Sequence, residues 1–382
     1  MFLDLGLSPI ADAYTATADQ ESERHPLQVA TCGKCRLVQL LEVVPADVLF
    51  GTGYSFYSSA SPPLSAYHQA YARDVINRHA AKVVRGVVEV GCNDGDMLRH
   101  FEQFPHVGVD PSIGPASAAQ ARGLRVRVES FGLQSADSVL TELGPVGVVI
   151  ANHVLAHVED VSDFLAGVAH LMDGKSVAMV EVQYLPDLLV NNSFDLVYHE
   201  HRNFFSLTSL EAAAGRHGLF VVEAELTDRQ GGSLRATLSR DRAPYWRQAA
   251  SVEHLRWSER WLNSFGAYEG MQGRAERIRT RLLDLLAAQT GTTAVYGAPA
   301  KATTLLNFCG LTAAELPFCW DTTHAKQGRF IPGTGIPILA PWGKSPRPAT
   351  FLLAAWNYAQ TIMRTNPAFR WIVPLPTPWL VP

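Results

Sequence analysis

Short apolar runs alternate along this chain with stretches in which apolar residues recur at helical spacing. Runs at 84–90, 107–110, 126–129, 146–151 and 176–182 read as strands, and residues 65–81 read as a helix entering the first unit. Strands alternating with helices predict a parallel sheet. The runs are β-branched and apolar on both faces, as buried parallel strands are. Runs at 220–226 and 234–239 flank Asp228-Arg229-Gln230-Gly231-Gly232 and read as an antiparallel pair. Residues 244–289 are rich in Ala, Arg, Leu, Glu and Trp and predict one or two helices, with Trp246, Trp257 and Trp261 as packing anchors. A second strand-loop-helix follows at 293–301, and runs at 317–320, 351–355 and 371–374 complete a smaller sheet. The opening sixty or so residues show few helical periods and a tyrosine-rich turn, as a small β-containing domain would.

The fold class is therefore α/β. A small N-terminal domain (1–64), a central Rossmann-like domain (65–240), a helical connector (241–290) and a C-terminal Rossmann-like domain (291–382) are expected, since 382 residues exceed one ordinary core. Composition changes this picture little: 47% hydrophobic and 18% charged residues are ordinary for a globular protein. A formal charge of −4 without a long basic run argues against a nucleic-acid partner. No apolar stretch is long enough to span a membrane. Met1-Phe2-Leu3-Asp4-Leu5-Gly6 lacks a basic n-region, so a cytoplasmic location is expected.

Candidate chemistry concentrates at strand ends. Val87-Val88-Glu89-Val90 runs into Gly91-Cys92-Asn93-Asp94-Gly95, a strand delivering a nucleotide-type ligand to a helix start. Gly91 and Gly95 permit backbone shapes that a Cβ would block. Glu89 and Asp94 would repel a pyrophosphate, so this loop suits a cationic or zwitterionic ligand with an adenosine, and S-adenosylmethionine is the common one. Asp110, about twenty residues on, stands where such folds place an acid for ribose hydroxyls. Asn152 and His153 follow the 146–151 run, and Phe131 follows another strand end, where it either stacks on adenine or fills the core. His157 reads as helix surface.

The densest polar group is Phe194-Asp195-Leu196-Val197-Tyr198-His199-Glu200-His201. Histidine suits proton abstraction near neutrality, so general base work is the sharper reading, with a surface segment or a metal site as alternatives. The second loop, Tyr296-Gly297-Ala298-Pro299-Ala300-Lys301, carries a lysine and no acid, so its helix start suits a phosphate. Cys32 and Cys35 form a lone CxxC, half of a usual zinc site.

The order of these segments, with Leu5-Gly6-Leu7-Ser8-Pro9-Ile10-Ala11, Asn93-Asp94-Gly95, Ala151-Asn152-His153, Tyr198-His199-Glu200-His201, Gly231-Gly232-Ser233-Leu234-Arg235, Tyr296 to Lys301 and Lys326-Gln327-Gly328-Arg329, resembles the sugar C-methyltransferases of antibiotic biosynthesis. That family methylates carbon 3 of thymidine-diphosphate-linked 4-keto-deoxysugars. The resemblance implies a zinc-binding N-terminal domain, a central S-adenosylmethionine domain and a C-terminal domain that helps bind a nucleotide-sugar substrate. It implies His201 as base, with Tyr198 and Glu200 orienting the sugar or the base, and Tyr54, Tyr57 and Tyr184 as further active-site aromatics. Glu89, Gly91, Asn93, Asp94, Gly95, Asp110, Phe131, Asn152 and His153 would serve the cofactor. Tyr296, Gly297 and Lys301 would serve the diphosphate end, with Lys326 and Arg329 as weaker candidates.

Two departures qualify this. The family usually carries a first CxxC just ahead of the segment that here opens the chain, leaving only Cys32 and Cys35. Arg202 follows the histidine where aromatic or small residues are common, and solvent exposure is its expected state. A runner-up enzyme keeps the base and loses methyl transfer, acting on an enolisable ketone as an epimerase or cyclase.

Overall fold

The computed structural model describes residues 1–45, 48–49, 56–242, 249–342 and 345–381. Three sheets organise them. The first begins as an antiparallel meander of β1 (Leu3–Pro9), β2 (Arg24–Thr31) and β3 (Val38–Leu40). The central sheet holds β4 (Val87–Val90), β5 (His106–Val109), β6 (Val126–Arg127), β7 (Val148–Asn152) and β8 (Val177–Gln183), all parallel. The chain then sends β9 (Asn203–Phe204) back to pair with β3, a pairing between distant segments that the hydrophobic pattern does not reveal. The hairpin β10 (Phe220–Thr227) and β11 (Ser233–Ser239) closes the central sheet, in the order β10-β11-β8-β7-β4-β5-β6, with β11 antiparallel to both neighbours.

The third sheet joins β12 (Thr293–Tyr296), β13 (Cys319–Trp320), β14 (Ile338–Leu339), β15 (Thr350–Leu353), β16 (Arg370–Val373) and β17 (Trp379–Val381) in the order β14-β13-β12-β15-β16-β17. It is parallel except for β17.

Strands β4, β5, β7 and β8 are buried on both faces. Tyr71, Ala72 and Val75 of the helix Pro62–Arg78 pack on one face against Val87, Val148 and Met179. Helices Leu133–Leu143, Val161–Leu171 and Leu207–Gly215 cover the other face. The helix Pro62–Arg78 starts before the expected position because prolines in its first turn have no N–H to satisfy. Strand β4 is shorter than the 84–90 run, since Arg85 N–H bonds Lys82 C=O and Gly86 takes φ +124°. Trp257 and Trp261 are exposed rather than packed, and Trp246 lies outside the described residues.

A separate core ties the two ends of the chain together. Leu3, Leu27, Val29 and Val38 of the first sheet share it with Phe194, Phe204, Met271 and Ile278, and with Val295, Leu305 and Leu352 of the C-terminal unit. Among the described residues no helix is long and apolar enough to cross a membrane.

Candidate active site

The chain runs outward from β4 through β5 to β6, then returns to β7 on the other side, so the carboxyl ends of β4 and β7 flank a topological switch point. A cavity of about 580 Å³ opens there and is walled by all three units. From the sheet come Gly91, Asn93, Asp110, Phe131, Asn152, His153 and Gln183; from the following segments come His157, Tyr198, Glu200 and His201; from the two ends of the chain come Asp12, Ala300 and Lys326.

The loop after β4 owes its shape to glycine. Gly91 has φ +68°, and a Cβ there would come within 2.2 Å of a Val154 methyl. Asn93, at φ +51°, donates its N–H to Asp110 Oδ2 at 2.8 Å and accepts Ser58 N–H on its own Oδ1 at 2.9 Å. Asp110 Oδ1 accepts Ser112 N–H at 2.8 Å. Burial pushes the Asp110 carboxyl above its ordinary range against these two bonds. Apolar Val90, Val109, Phe131 and Phe164 border this end, while Asn152 Oδ1 and Gln183 Oε1 are buried without protein partners. Hydroxyl acceptors, apolar walls and open amide oxygens suit an adenosine with a cationic centre.

His201, also on the cavity wall, is largely buried. Its Nδ1 lies 2.8 Å from Leu196 C=O, which can only accept, so Nδ1 carries the proton and Nε2 holds a lone pair. Tyr198 Oη sits 2.7 Å from that Nε2. Burial and the nearby His157 hold His201 well below its ordinary pKa, leaving it neutral at physiological pH. The His157 ring lies 5.1 Å from it, tilted by 43°, with Nδ1 2.6 Å from Glu200 C=O, and burial lowers it to about 4. Glu200 is pushed up to about 8 by burial and then by Asp12.

His153 takes φ +54°, donates its N–H to Glu181 C=O at 2.7 Å and faces Glu181 Oε1 with Nε2 at 3.3 Å. Burial alone would raise Glu181, but His153, Arg235 and Tyr67 bring it down to about 2. Arg235 Nε donates to Glu181 at 2.8 Å.

Several expected site residues lie elsewhere. Glu89 is buried in the sheet, and Asp94 is engaged by Ser59 and Arg122 behind the loop. Gly95 faces Leu124 and Ala119 rather than the cavity. Tyr184 is buried in the central core beside Glu259. Tyr57 approaches Gly114 outside the cavity wall, and Tyr54 falls outside the described residues. Tyr296 packs edge-on against Trp371, and Gly297, at φ +85°, abuts Ala355. Lys301 is buried: its Nζ donates to Asn357 Oδ1 at 2.7 Å and sits 3.9 Å over the Trp356 ring, near Asp195. Burial lowers Lys301 to about 8. Arg329 is exposed away from the cavity, whereas Lys326 lines it.

His157 and Arg202 reverse the expectation of exposure. His157 lines the cavity, and Arg202 is buried, donating to Val44 C=O and pairing with Glu159 at 3.4 Å. Asp12 and Gln183 were not singled out by the sequence. Asp12 sits just past Leu5-Gly6-Leu7-Ser8-Pro9-Ile10-Ala11, which was the available signal.

Cys32 and Cys35 are half-buried free thiols on a turn in which the backbone N–H groups of Cys35 and Lys34 hold the Cys32 thiol below its ordinary pKa. Among the described residues no three His, Cys, Asp or Glu side chains are grouped to hold a metal ion.

Three family models match in chain order: "Putative zinc binding domain" over residues 1–50, "Methyltransferase domain" over 64–224 and "C-methyltransferase C-terminal domain" over 228–376. The C-methyltransferase NovU of Streptomyces niveus is 34% identical over 394 residues, spanning 99% of this chain and 93% of its own. A SAM-dependent methyltransferase from Archaeoglobus fulgidus is similar with a TM-score of 0.37 at 15% identity, over 46% of this chain and 94% of its own. The magnesium protoporphyrin IX methyltransferase of Synechocystis, solved with SAH, gives 0.36 at 17% identity over 46% and 84%. Against the first model's description, two thiols do not fit a closed structural zinc site, which takes four ligands.

Proposed function

This chain belongs to the C-methyltransferase family, and from that premise we propose that it methylates a nucleotide-linked 4-keto-deoxysugar at carbon 3, beside the ketone, through an enolate. Bound at the Gly91 loop, S-adenosylmethionine would supply an electrophilic methyl group on a sulfonium. Asp110 would accept its ribose hydroxyls, Phe131 would border its adenine, and Asn152 with Gln183 would meet its polar end.

The observation that carries the reading is His201: a neutral imidazole with its lone pair aimed at a tyrosine hydroxyl, in the same cavity as an adenosine-type loop. A 4-ketone acidifies the hydrogen on carbon 3. Substrate displaces the Tyr198 hydroxyl from Nε2, and Nε2 then takes that proton while the C–H electron pair becomes the enolate. The freed hydroxyl donates to the enolate oxygen, where charge develops. The enolate carbon would then be the nucleophile for the methyl group that S-adenosylmethionine supplies, its sulfur leaving as the neutral thioether, and His201 afterwards returns its proton to solvent. Lys326 lines the cavity and would meet the diphosphate in place of its bond to Ala298 C=O, whereas Lys301 is not on that wall and is assigned no contact.

The test is incubation with S-adenosylmethionine and a thymidine-diphosphate 4-keto-6-deoxysugar, following S-adenosylhomocysteine and locating the new methyl by NMR. A methyl on carbon 3 is expected. Solvent deuterium entering that carbon with no cofactor consumed would favour an epimerase instead.

A further inference from the structure

The neutral imidazole of His201 has two tautomers, and the bonds at its two nitrogens decide between them. Tyr198 Oη, at Nε2, can donate or accept and so suits either form. Leu196 C=O, at Nδ1, can only accept. That one carbonyl therefore keeps the proton on Nδ1 and the lone pair on Nε2.

Leu196 ends the single turn Phe194–Leu196, and its two chain neighbours are each bonded to the C-terminal unit. On one side Asp195 is fully buried, and Trp356 Nε1 donates to its Oδ2 at 2.6 Å. On the other, Thr304 Oγ1 donates to Val197 C=O at 2.9 Å. Phe194 packs edge-on against Phe308, with ring centroids 5.1 Å apart. Trp356 is braced in turn. Lys301 Nζ lies 3.9 Å over its ring and donates to Asn357 Oδ1 at 2.7 Å. Gly231 lies against both Trp356 and Leu196, since a Cβ there would stand 3.4 Å from the indole and 3.8 Å from a Leu196 methyl.

We propose that Trp356, acting through Asp195, is a positioning residue that fixes the turn whose Leu196 carbonyl holds His201 in the tautomer able to take a proton at Nε2. This rests on the reading of His201 as the base. Without the indole N–H, a buried carboxyl loses its donor, a cost that the turn relieves by moving. Leu196 C=O then leaves Nδ1, and the Nε2–H tautomer, with Tyr198 accepting, becomes competitive. That form has no lone pair where the substrate proton arrives. Lys301, buried away from the cavity, gains a task as the cation that steadies the indole.

The test is nitrogen NMR of the full chain labelled in its histidines, with His201 assigned by its loss in His201→Ala. Wild type should show the proton on Nδ1 and a bare Nε2. Trp356→Phe keeps a ring beneath Lys301 and removes the N–H. It should move about half or more of His201 into the Nε2–H form and slow single-turnover methyl transfer by at least the same factor, about two- to tenfold. The S-adenosylmethionine dissociation constant should stay within about twofold, since the cofactor loop is untouched. Thr304→Val, which frees the other side of Leu196 and changes no volume, should shift the tautomer the same way and to a smaller extent; it decides the matter alone if Trp356→Phe does not fold. A His201 that keeps its proton on Nδ1 in every folded variant overturns the proposal, whatever happens to the rate. If Trp356→Phe shifts the tautomer while the wild type transfers no methyl group, the link from Trp356 to His201 stands and the reaction reading fails.

Discussion

His201, the proposed base, illustrates how surroundings can suit a single side chain to accept a proton. Burial removes the proton from Nε2 and Leu196 C=O fixes the tautomer, so the imidazole waits with a lone pair at neutral pH. Replacing it by alanine should lower kcat by about 10² to 10⁴ while the S-adenosylmethionine dissociation constant, measured by titration calorimetry, stays within a few fold. Asp110→Ala should do the opposite, weakening cofactor binding about tenfold or more for loss of a charged hydrogen bond worth roughly 1.5 to 3 kcal/mol. Equal loss of both properties in both variants would break the division of labour. That these two residues line the cavity was legible in the sequence because type and place coincide: an acid closing a strand, an imidazole in a polar cluster. His157 and Arg202 were not. Their settings are made by partners far along the chain, Glu200 for one and Val44 for the other, and no local pattern encodes that. Lys301 failed for the converse reason, since the Trp356 and Asn357 that capture it also lie far away.

At the scale of elements, the long central strands were read nearly in register because a run apolar on both faces has few other places to go. Two-residue strands such as β9 and β14 were not read, because their pairing depends on neighbours rather than on their own composition. β9 matters most for the site. It starts two residues after His201, and Leu40 N–H bonds Arg202 C=O while Asn203 N–H bonds Ala156 C=O, so the first sheet and the segment after β7 both hold the backbone beside the proposed base. The β4 turn is the other element under strict demand. Gly91→Ala should cost about 1 to 3 kcal/mol, since alanine resists φ +68° and its Cβ would press on Val154. A thermal melt reads this, and an unchanged midpoint would mean that the turn relaxes freely.

For the whole molecule, the decisive fact is that the N-terminal sheet does not stand alone. Small metal-binding domains fold on their ion because they have too little core of their own. Here Leu3, Leu27, Val29 and Val38 are buried in one core with Phe194, Phe204, Met271 and Leu305, so the first sheet is held by the rest of the chain. Cys32 and Cys35 bring two ligands to a task that takes four, and no third is grouped with them among the described residues. Metal removal should therefore leave the fold intact. A strong chelator should not lower the melting midpoint, and the double variant Cys32→Ser, Cys35→Ser should stay within about 0.5 kcal/mol of wild type, a shift of one or two degrees. Elemental analysis of the same sample should find well under one zinc per chain. A full equivalent of zinc whose loss collapses the melting transition would instead mean that ligands from outside the described residues, or from a second chain, complete the cysteine pair, and the shared core would then be insufficient to hold the first sheet.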